Sequence, residues 1–336
     1  MKTLRIAFAL MLLAAFVAGA VLSLRPLRSP DPAKRPSIKP HFLFYTAQTA
    51  TTPQLSFWAA AHAGDFEDLF SFDVETWRDL DTLKALLLSG KGDLWLGHLE
   101  GFALAKKNGA PLSLLAITAW KKFYLLSVDS AVNEFLDCPG HTVAYTPKAS
   151  PAISIARAIL GPQAAEVRFI PQELAELAHH LSDGTYHSAL VPEPLAAMLL
   201  GKIPGLRRVS SLEETYGRTL GRPHRLPLAG LAVNTDTAAR YPGAVQGLLQ
   251  ALSKQGKLLA HIPDVSLELL PQSVRSTVGS DVLRESLRYD LIHVEEARSV
   301  EQEILDYLRI VVPEVFSADG RLTLDSSFIW HSEGGA

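Results

Sequence analysis

Residues 86–100 read LLLSGKGDLWLGHLE, and this stretch decides the fold because its pattern occurs twice in the chain. It runs from the apolar end of a helix through Gly90 into a short apolar strand, and a new helix begins at Glu100. Residues 180–194, HLSDGTYHSALVPEP, repeat this order with Gly184 at the same place. Any two strand–helix units share such features, so this match alone leaves open whether a whole lobe is duplicated.

A second matched pair of features favours duplication. Thr52-Pro53 and Ser150-Pro151 each place a capping hydroxyl before a proline, which is typical of a helix start that follows a strand. Strands and helices alternate around both pairs, which predicts an α/β body with mostly parallel sheets. We therefore predict two α/β lobes joined by two crossovers. The predicted boundaries are 41–128 plus 232–336 for the first lobe, 136–225 for the second lobe, and 129–140 and 222–232 for the crossovers.

The N-terminus has the pattern of an exported protein. Lys2 and Arg5 precede an unbroken apolar run, and Ala18-Gly19-Ala20 supplies the small residues that a signal peptidase reads. We predict a signal peptide over residues 1–20; an uncleaved anchor that extends to residue 24 is the alternative, because the apolar run continues that far. Residues 21–40 are rich in proline and basic side chains and predict an extended linker.

Composition excludes several classes of protein. The chain has 336 residues and a formal net charge of -3 without a long basic run, so we expect two cores and no nucleic acid partner. Its single cysteine, Cys138, excludes an intramolecular disulfide. The sequence shows no phosphate-binding loop, no Ser-His-Asp order and no chelating histidine pair, so we expect no catalysis, no metal and no cofactor.

Several short segments, taken in their order along the chain, resemble one family. They are Ser89–Gly97, Asn108–Leu112, Pro139–Ala144, Val191–Pro194, and Tyr241-Pro242 before a long helix. The order is similar to that of the periplasmic solute-binding proteins of ABC importers, in the nitrate, sulfonate and taurine group that includes thiamine-precursor binders. The resemblance covers the chain from about residue 41 to beyond residue 270. It implies a type II periplasmic binding fold, with two α/β lobes and a ligand cleft between them.

The implied cleft lies at the carboxyl ends of the strands, where open α/β sheets bind ligands. Loops at strand ends supply the candidate ligand-binding residues Gln48, Thr49, Gly97, His98, Trp120, Thr146, Lys148, Ser150 and Glu193. Trp120 offers a flat apolar face, and the helix start behind Ser150, together with Lys148, suits an anionic group. The resemblance implies that Glu193 faces the same cleft. For each residue the alternative is an ordinary structural role, such as a helix cap or a packing side chain.

The resemblance also implies a function. We expect an extracytoplasmic, monomeric solute-binding protein, not an enzyme, that delivers a small anionic or flat polar solute to an ABC permease in the membrane. Sulfonate, nitrate, taurine and pyrimidine-like solutes fit this expectation. The loop over residues 48–52 matches none of the ligand subgroups, so the identity of the ligand stays open. Two alternatives also stay open: a membrane-anchored sensor or accessory module, and an enzyme on the same fold.

Overall fold

The computed structural model describes residues 39–47, 52–148, 150–261 and 267–331, and residues 40–336 form one compact unit. The predicted signal peptide over residues 1–20, its alternative extension to residue 24, and nearly all of the predicted linker over residues 21–40 lie outside the described residues. Gln48 and Thr49 also lie outside them. Among the helices of the described residues, none combines the length and the apolar character that a bilayer span requires.

Strands and helices alternate along most of the chain, as the sequence predicts. The strands are β1 His41–Ala47, β2 Ser71–Trp77, β3 Leu94–His98, β4 Leu112–Ala119, β5 Phe123–Ser127, β6 Thr142–Tyr145, β7 Arg168–Pro171, β8 Ser188–Pro192, β9 Arg207–Ser211, β10 Ala229–Asn234 and β11 Glu295–Glu296. The helices are α1 Leu55–His62, α2 Leu80–Ser89, α3 Leu99–Lys107, α4 Ala152–Leu160, α5 Leu174–Ser182, α6 Leu195–Lys202, α7 Leu212–Leu220, α8 Thr235–Arg240, α9 Pro242–Leu259, α10 Gln272–Val278, α11 Ser280–Leu287 and α12 Glu301–Val311.

The strands form two sheets that share one plan. The first sheet has the order β2-β1-β3-β10-β4, with the short β11 at its edge, and the second has the order β7-β6-β8-β5-β9. In each sheet one strand, β1 or β6, pairs in parallel with two neighbours, and another, β10 or β5, runs antiparallel to the strands on both of its sides. The shared plan confirms the predicted α/β class with two lobes. We call the parts built on these sheets the first lobe and the second lobe.

The antiparallel strand of each sheet is supplied by a chain that has just crossed from the other lobe. The strand β5 follows β4 of the first sheet after residues 120–122, and β10 follows α7 of the second lobe after residues 221–228. The predicted end of the first lobe at residue 128 was wrong, because β5 pairs with β8 and β9 of the second sheet. The predicted start of its C-terminal part at residue 232 was also late, because β10 begins at Ala229. Both sheets are mixed, rather than mostly parallel, because these exchanged strands run in reverse.

The repeated stretch of sequence forms an equivalent unit in each lobe. Gly90 follows α2 and adopts a left-handed φ of +65°, and Gly184 follows α5 with a φ of +78°. Each glycine is followed, at the same spacing, by a strand that pairs in parallel with an equivalent strand of its sheet, β3 with β1 and β8 with β6. A residue with a Cβ atom is strained at these φ angles, which accounts for glycine at both turns.

The C-terminal helix α12 belongs to both lobes. The predicted boundaries assign it to the first lobe, but it packs against α3 of the first lobe and against α4 of the second. Ile304, Tyr307 and Leu308 of this helix are fully buried, in the same apolar cluster as Phe102 of α3 and Ile155 of α4. The two lobes therefore share one continuous apolar core behind the crossovers.

Candidate functional site

The carboxyl ends of strands from both sheets face one cleft, which holds about 370 Å³ of free space. Ala47 and Trp77 end β1 and β2 of the first lobe, and Pro192 ends β8 of the second. Pro53 and Pro151, the prolines of the two matched helix starts, also line the cleft. A proline at the start of a helix costs no hydrogen bond, because the first N–H groups have no partner within the helix. The cleft thus lies where the sequence places it, between two equivalent sets of strand ends.

Most of the lining of this cleft is apolar. The apolar side chains that line it are Ala47, Pro53, Trp77, Leu80, Leu96, Phe123, Pro147, Pro151, Pro192, Pro194, Leu195, Leu228 and Ala229. The indole N–H of Trp77 donates to the carbonyl oxygen of Leu96 at 3.1 Å, so this ring is fixed in its orientation. Such a surface is suited to cover an apolar part of a ligand.

Four of the candidate residues line the cleft: Gly97, His98, Ser150 and Glu193. A Cβ atom on Gly97 would lie 2.8 Å from Leu83 and 3.0 Å from Phe102, so packing inside the first lobe already requires glycine there. His98 ends β3, and burial lowers the pKa of its imidazole despite the opposing charge of Glu100. It is therefore a neutral ring at pH 7, able to donate from one nitrogen and accept at the other.

Ser150 and Glu193 line the second-lobe side of the cleft, and both have partners within the protein. The Ser150 hydroxyl accepts from the N–H of Ala152 at 3.3 Å, which caps the start of α4. Glu193 is 1% exposed, and its carboxylate pairs with the guanidinium of Arg208 at 2.5 Å and accepts from the N–H of Ala197 at 3.3 Å. The carboxylate of Glu193 is thus neutralised by its own lobe.

The other described candidates are not among the residues that line the cleft. Trp120 is fully buried, donates to the carbonyl oxygen of His293 at 3.0 Å and packs against the guanidinium of Arg225, so its position is that of a packing residue. Thr146 is buried, with its N–H directed to the carbonyl oxygen of Leu190 at 3.4 Å. Lys148 is half exposed and pairs with Glu173 at 2.9 Å. The structure does not bring these three side chains to the cleft.

The sequence analysis missed Lys122, which lines the cleft from the first crossover. Burial lowers the pKa of its ammonium, and the negative charges of Asp290 and Glu193 act in the opposite direction. A lysine directly before an apolar strand is a signal that the sequence does contain, in Lys121-Lys122-Phe123. It went unused because the first crossover was predicted at residues 129–140, whereas the chain crosses at residues 120–122.

One edge of the cleft is bridged by the segment after α11. The helix α11 packs on the first lobe through Leu283 and Leu287, which share a cluster with Leu55 of α1, and it also contacts α6 of the second lobe. Tyr289 reaches the second lobe, where its ring lies 3.6 Å from the guanidinium of Arg208. The next residue, Asp290, accepts a hydrogen bond from Thr52 of the first lobe. The lobes are thus in contact at this edge.

The described residues offer little for covalent or metal chemistry. They contain no group of three or more His, Cys, Asp or Glu side chains that could hold a metal ion. Cys138 is fully buried, and burial raises the pKa of its thiol to about 12, so it is not a nucleophile at neutral pH.

Known structures share this arrangement of two lobes around a cleft. An ABC transporter protein from Parabacteroides distasonis has a TM-score of 0.67 at 16% identity, over 88% of this chain and 100% of that one. The fold is that of a type II periplasmic binding protein. The periplasmic aliphatic sulphonate binding protein SsuA from Escherichia coli has a TM-score of 0.64 at 15% identity, over 88% of this chain and 94% of that one.

A third similar structure is the periplasmic nitrate-binding protein NrtA from Synechocystis PCC 6803, with a TM-score of 0.59 at 12% identity, over 84% of each chain. No protein-family model matches this sequence, and a comparison of the sequence with curated proteins found no match. At these identities the likeness extends to the fold. The function of this chain has to be argued from the residues of its cleft.

Proposed function

We propose that this protein is the extracytoplasmic solute-binding component of an ABC-type importer, which captures a small solute between its lobes and presents it to a membrane permease. The observation that carries the proposal is the cleft itself, formed by the carboxyl ends of two equivalent sheets and lined by both lobes. Ligands bind at this place in open α/β sheets. The similar structures, which include a sulphonate-binding and a nitrate-binding protein, support the same role.

The proposed cycle needs no chemistry on the solute. A solute that contacts both lobes favours the closed arrangement over the open one, because only the closed arrangement makes both sets of contacts. The crossovers at residues 120–122 and 221–228 are the segments about which the lobes would rotate. The predicted signal peptide supports an extracytoplasmic location.

The experiment is a thermal-shift screen of the purified protein with small solutes, followed by calorimetry on each hit. A bound solute at 100 times its Kd stabilises the folded state by about 2.7 kcal/mol, which raises the melting temperature by a few degrees. X-ray scattering with and without the hit then measures closure. Recovery of the solute unchanged separates a binding protein from an enzyme.

A pair of matched variants tests the location of the site. Ser150→Phe fills the cleft with an aromatic ring, and Ser130→Phe adds the same ring on an exposed surface outside the cleft. We expect the first variant to lose the thermal shift while the second keeps it. Equal responses of both variants, or no response of the protein to any solute, would contradict the proposal.

A further inference from the structure

One lysine of the cleft lining, Lys122, lacks a close acceptor for its ammonium among the described residues. Lys122 lines the cleft on the first crossover, and the described residues give its Nζ atom neither a hydrogen bond nor an ion pair. Its backbone is held firmly, because its N–H donates to the buried carboxylate of Glu213 at 2.9 Å. Lys122 is partly exposed, and its ammonium loses part of its hydration at this position, so a bound anion would recover part of that cost.

The carboxylates around this lysine are all engaged elsewhere. Glu193 pairs with Arg208 at 2.5 Å. Asp290 accepts from the hydroxyl of Thr52 and, at 2.8 Å, from the N–H of Leu291. Glu100 accepts from the phenol of Tyr307 at 3.0 Å. Each of these carboxylates therefore already accepts hydrogen bonds within the protein, whereas the described residues give the ammonium of Lys122 no acceptor at hydrogen-bond distance.

The other residues that line the cleft determine which chemical groups a bound solute can have in addition to its negative charge. Asp79 lines the outer part, but its carboxylate caps α2 by accepting from the N–H of Thr82 at 2.7 Å. The described lining thus offers no unengaged carboxylate to a solute ammonium. Trp77, Phe123 and Leu228 instead offer apolar surface next to Lys122.

We infer that the solute is an organic monoanion whose charged group pairs with the ammonium of Lys122 and whose apolar body lies against Trp77, Phe123 and Leu228. This inference rests on the proposed function and narrows its substrate class. It disfavours inorganic anions, which have no apolar body. It also disfavours zwitterions, whose ammonium would enter the cleft without a partner.

Four solutes test the two parts of the inference. Hexanoate and hexane-1-sulfonate share an apolar chain and differ in the anionic group, whereas taurine adds an ammonium and nitrate lacks the chain. By calorimetry with the full chain, we expect at least one of the first two to bind about tenfold or more tightly than taurine and nitrate. The comparison within the first pair identifies whether the head group is a carboxylate or a sulfonate.

Three variants test the residue. Lys122→Met keeps the length of the side chain without its charge, and we expect it to weaken binding of the preferred anion by about 10- to 100-fold. Lys121→Met is the matched control, because Lys121 pairs with Glu214 at 2.5 Å and is not part of the cleft lining. Lys122→Arg retains the charge, and we expect it to bind the anion more tightly than the Met variant does. Removal of an unpaired cation should not lower the melting temperature of Lys122→Met.

The outcomes separate this inference from the proposed function. If taurine or nitrate binds most tightly, or if Lys122→Met and Lys122→Arg bind the anion as the unchanged protein does, the inference is overturned while solute binding stands. If Lys122→Met does not fold, Lys122→Arg decides: binding no tighter than that of nitrate overturns the inference. If no solute binds and Ser150→Phe changes nothing, both proposals fail.

Discussion

The two crossovers that join the lobes are held by different kinds of contact. The first, residues 120–122, is fixed from inside the protein. Trp120 is fully buried and donates to a backbone carbonyl, and the N–H groups of Lys122 and Phe123 both donate at 2.9 Å to the carboxylate of Glu213, which is 0% exposed. Each of these contacts is shielded from water.

In the second crossover, residues 221–228, Leu226 and Leu228 are buried and donate through their N–H groups to the carbonyl oxygens of Trp120 and Ala119, whereas Arg222 and Arg225 form ion pairs with α12. Arg225 forms two hydrogen bonds with the carboxylate of Glu303, at 2.7 and 2.9 Å. Arg222 pairs with Asp306 at 2.7 Å, and about half of its side chain is exposed. These charges are in contact with solvent.

This difference in contacts predicts that the two crossovers respond to different solution conditions. Buried hydrogen bonds respond to protonation and packing, whereas exposed ion pairs are weak and respond to salt. The first crossover also carries Lys122 and Phe123 into the cleft, so its rigid attachment fixes the position of the proposed anion-binding group. Leu228 of the second crossover also lines the cleft, but Arg222 and Arg225 do not, so their ion pairs can be changed with little effect on the site.

The largest effect is expected at the first crossover. Trp120→Ala should lower the free energy of unfolding by about 3–5 kcal/mol, because it leaves a cavity in place of a fully buried indole. Trp120→Phe, which keeps a ring but loses the hydrogen bond to His293, should cost about 1–2 kcal/mol. Urea unfolding measures both. A loss below 1 kcal/mol for Trp120→Ala would contradict the buried position.

The pH dependence of stability should reveal Glu213. Burial raises the pKa of its carboxyl from 4.5 to about 7, so between these values the folded chain holds a proton that the unfolded chain has released. Stability must therefore fall as the pH rises through this window, by about 1–3 kcal/mol. Asp290, with a pKa raised by burial to about 6, acts in the same direction.

A variant separates the contribution of Glu213 from that of other groups. Glu213→Gln keeps an oxygen for the two N–H donors but does not titrate, so its urea midpoint relative to the unchanged protein should rise between pH 5 and pH 8. An unchanged difference between the two proteins across this range would show that Glu213 is ionised throughout.

A smaller effect is expected at the second crossover. Arg225→Gln should cost about 0.5–1 kcal/mol, because the arginine and Glu303 are each about a quarter exposed. The loss should shrink when urea unfolding is repeated in 1 M salt, where the Debye length falls to about 3 Å. If the loss of unfolding free energy did not depend on salt, the Arg225–Glu303 pair would behave as a buried contact, like those of the first crossover.

The smallest effect is expected for Arg222→Gln, about 0–0.5 kcal/mol, because this arginine is about half exposed. Asp306 also keeps a second partner, Arg309, at 3.0 Å. The affinity for a solute should stay unchanged in this variant, as measured by calorimetry. A change in affinity would mean that the second crossover also positions the cleft.

Local signals in the sequence were enough to predict the repeated unit. Gly90 and Gly184 end helices because a left-handed turn favours glycine, and each is followed by a strand of the predicted kind. The end of α2 directly before Gly90 is predicted for the same reason. Such signals depend on a few neighbouring residues, which the sequence shows directly.

The sequence does not show in the same way which strands pair when they are far apart along the chain. The strand β5 has the same apolar pattern whether it pairs with β4 or with β8 and β9, so its membership of the second sheet had no local signal. That error displaced the first crossover, and Lys122 was missed as a consequence. Trp120 was a reasonable candidate for a ligand contact, but only its packing against Arg225 and His293 reveals a structural role.

The exchange of strands between the sheets sets an order of assembly for the nascent chain. All five strands of the second sheet lie in the continuous stretch 123–211, so that sheet can be completed once this stretch has been synthesised. The first sheet cannot, because β10, which begins at Ala229, must be inserted between β3 and β4. Closing such a distant contact is entropically slow. The first sheet therefore stays incomplete between β3 and β4 until β10 has been synthesised, which happens after the whole second sheet.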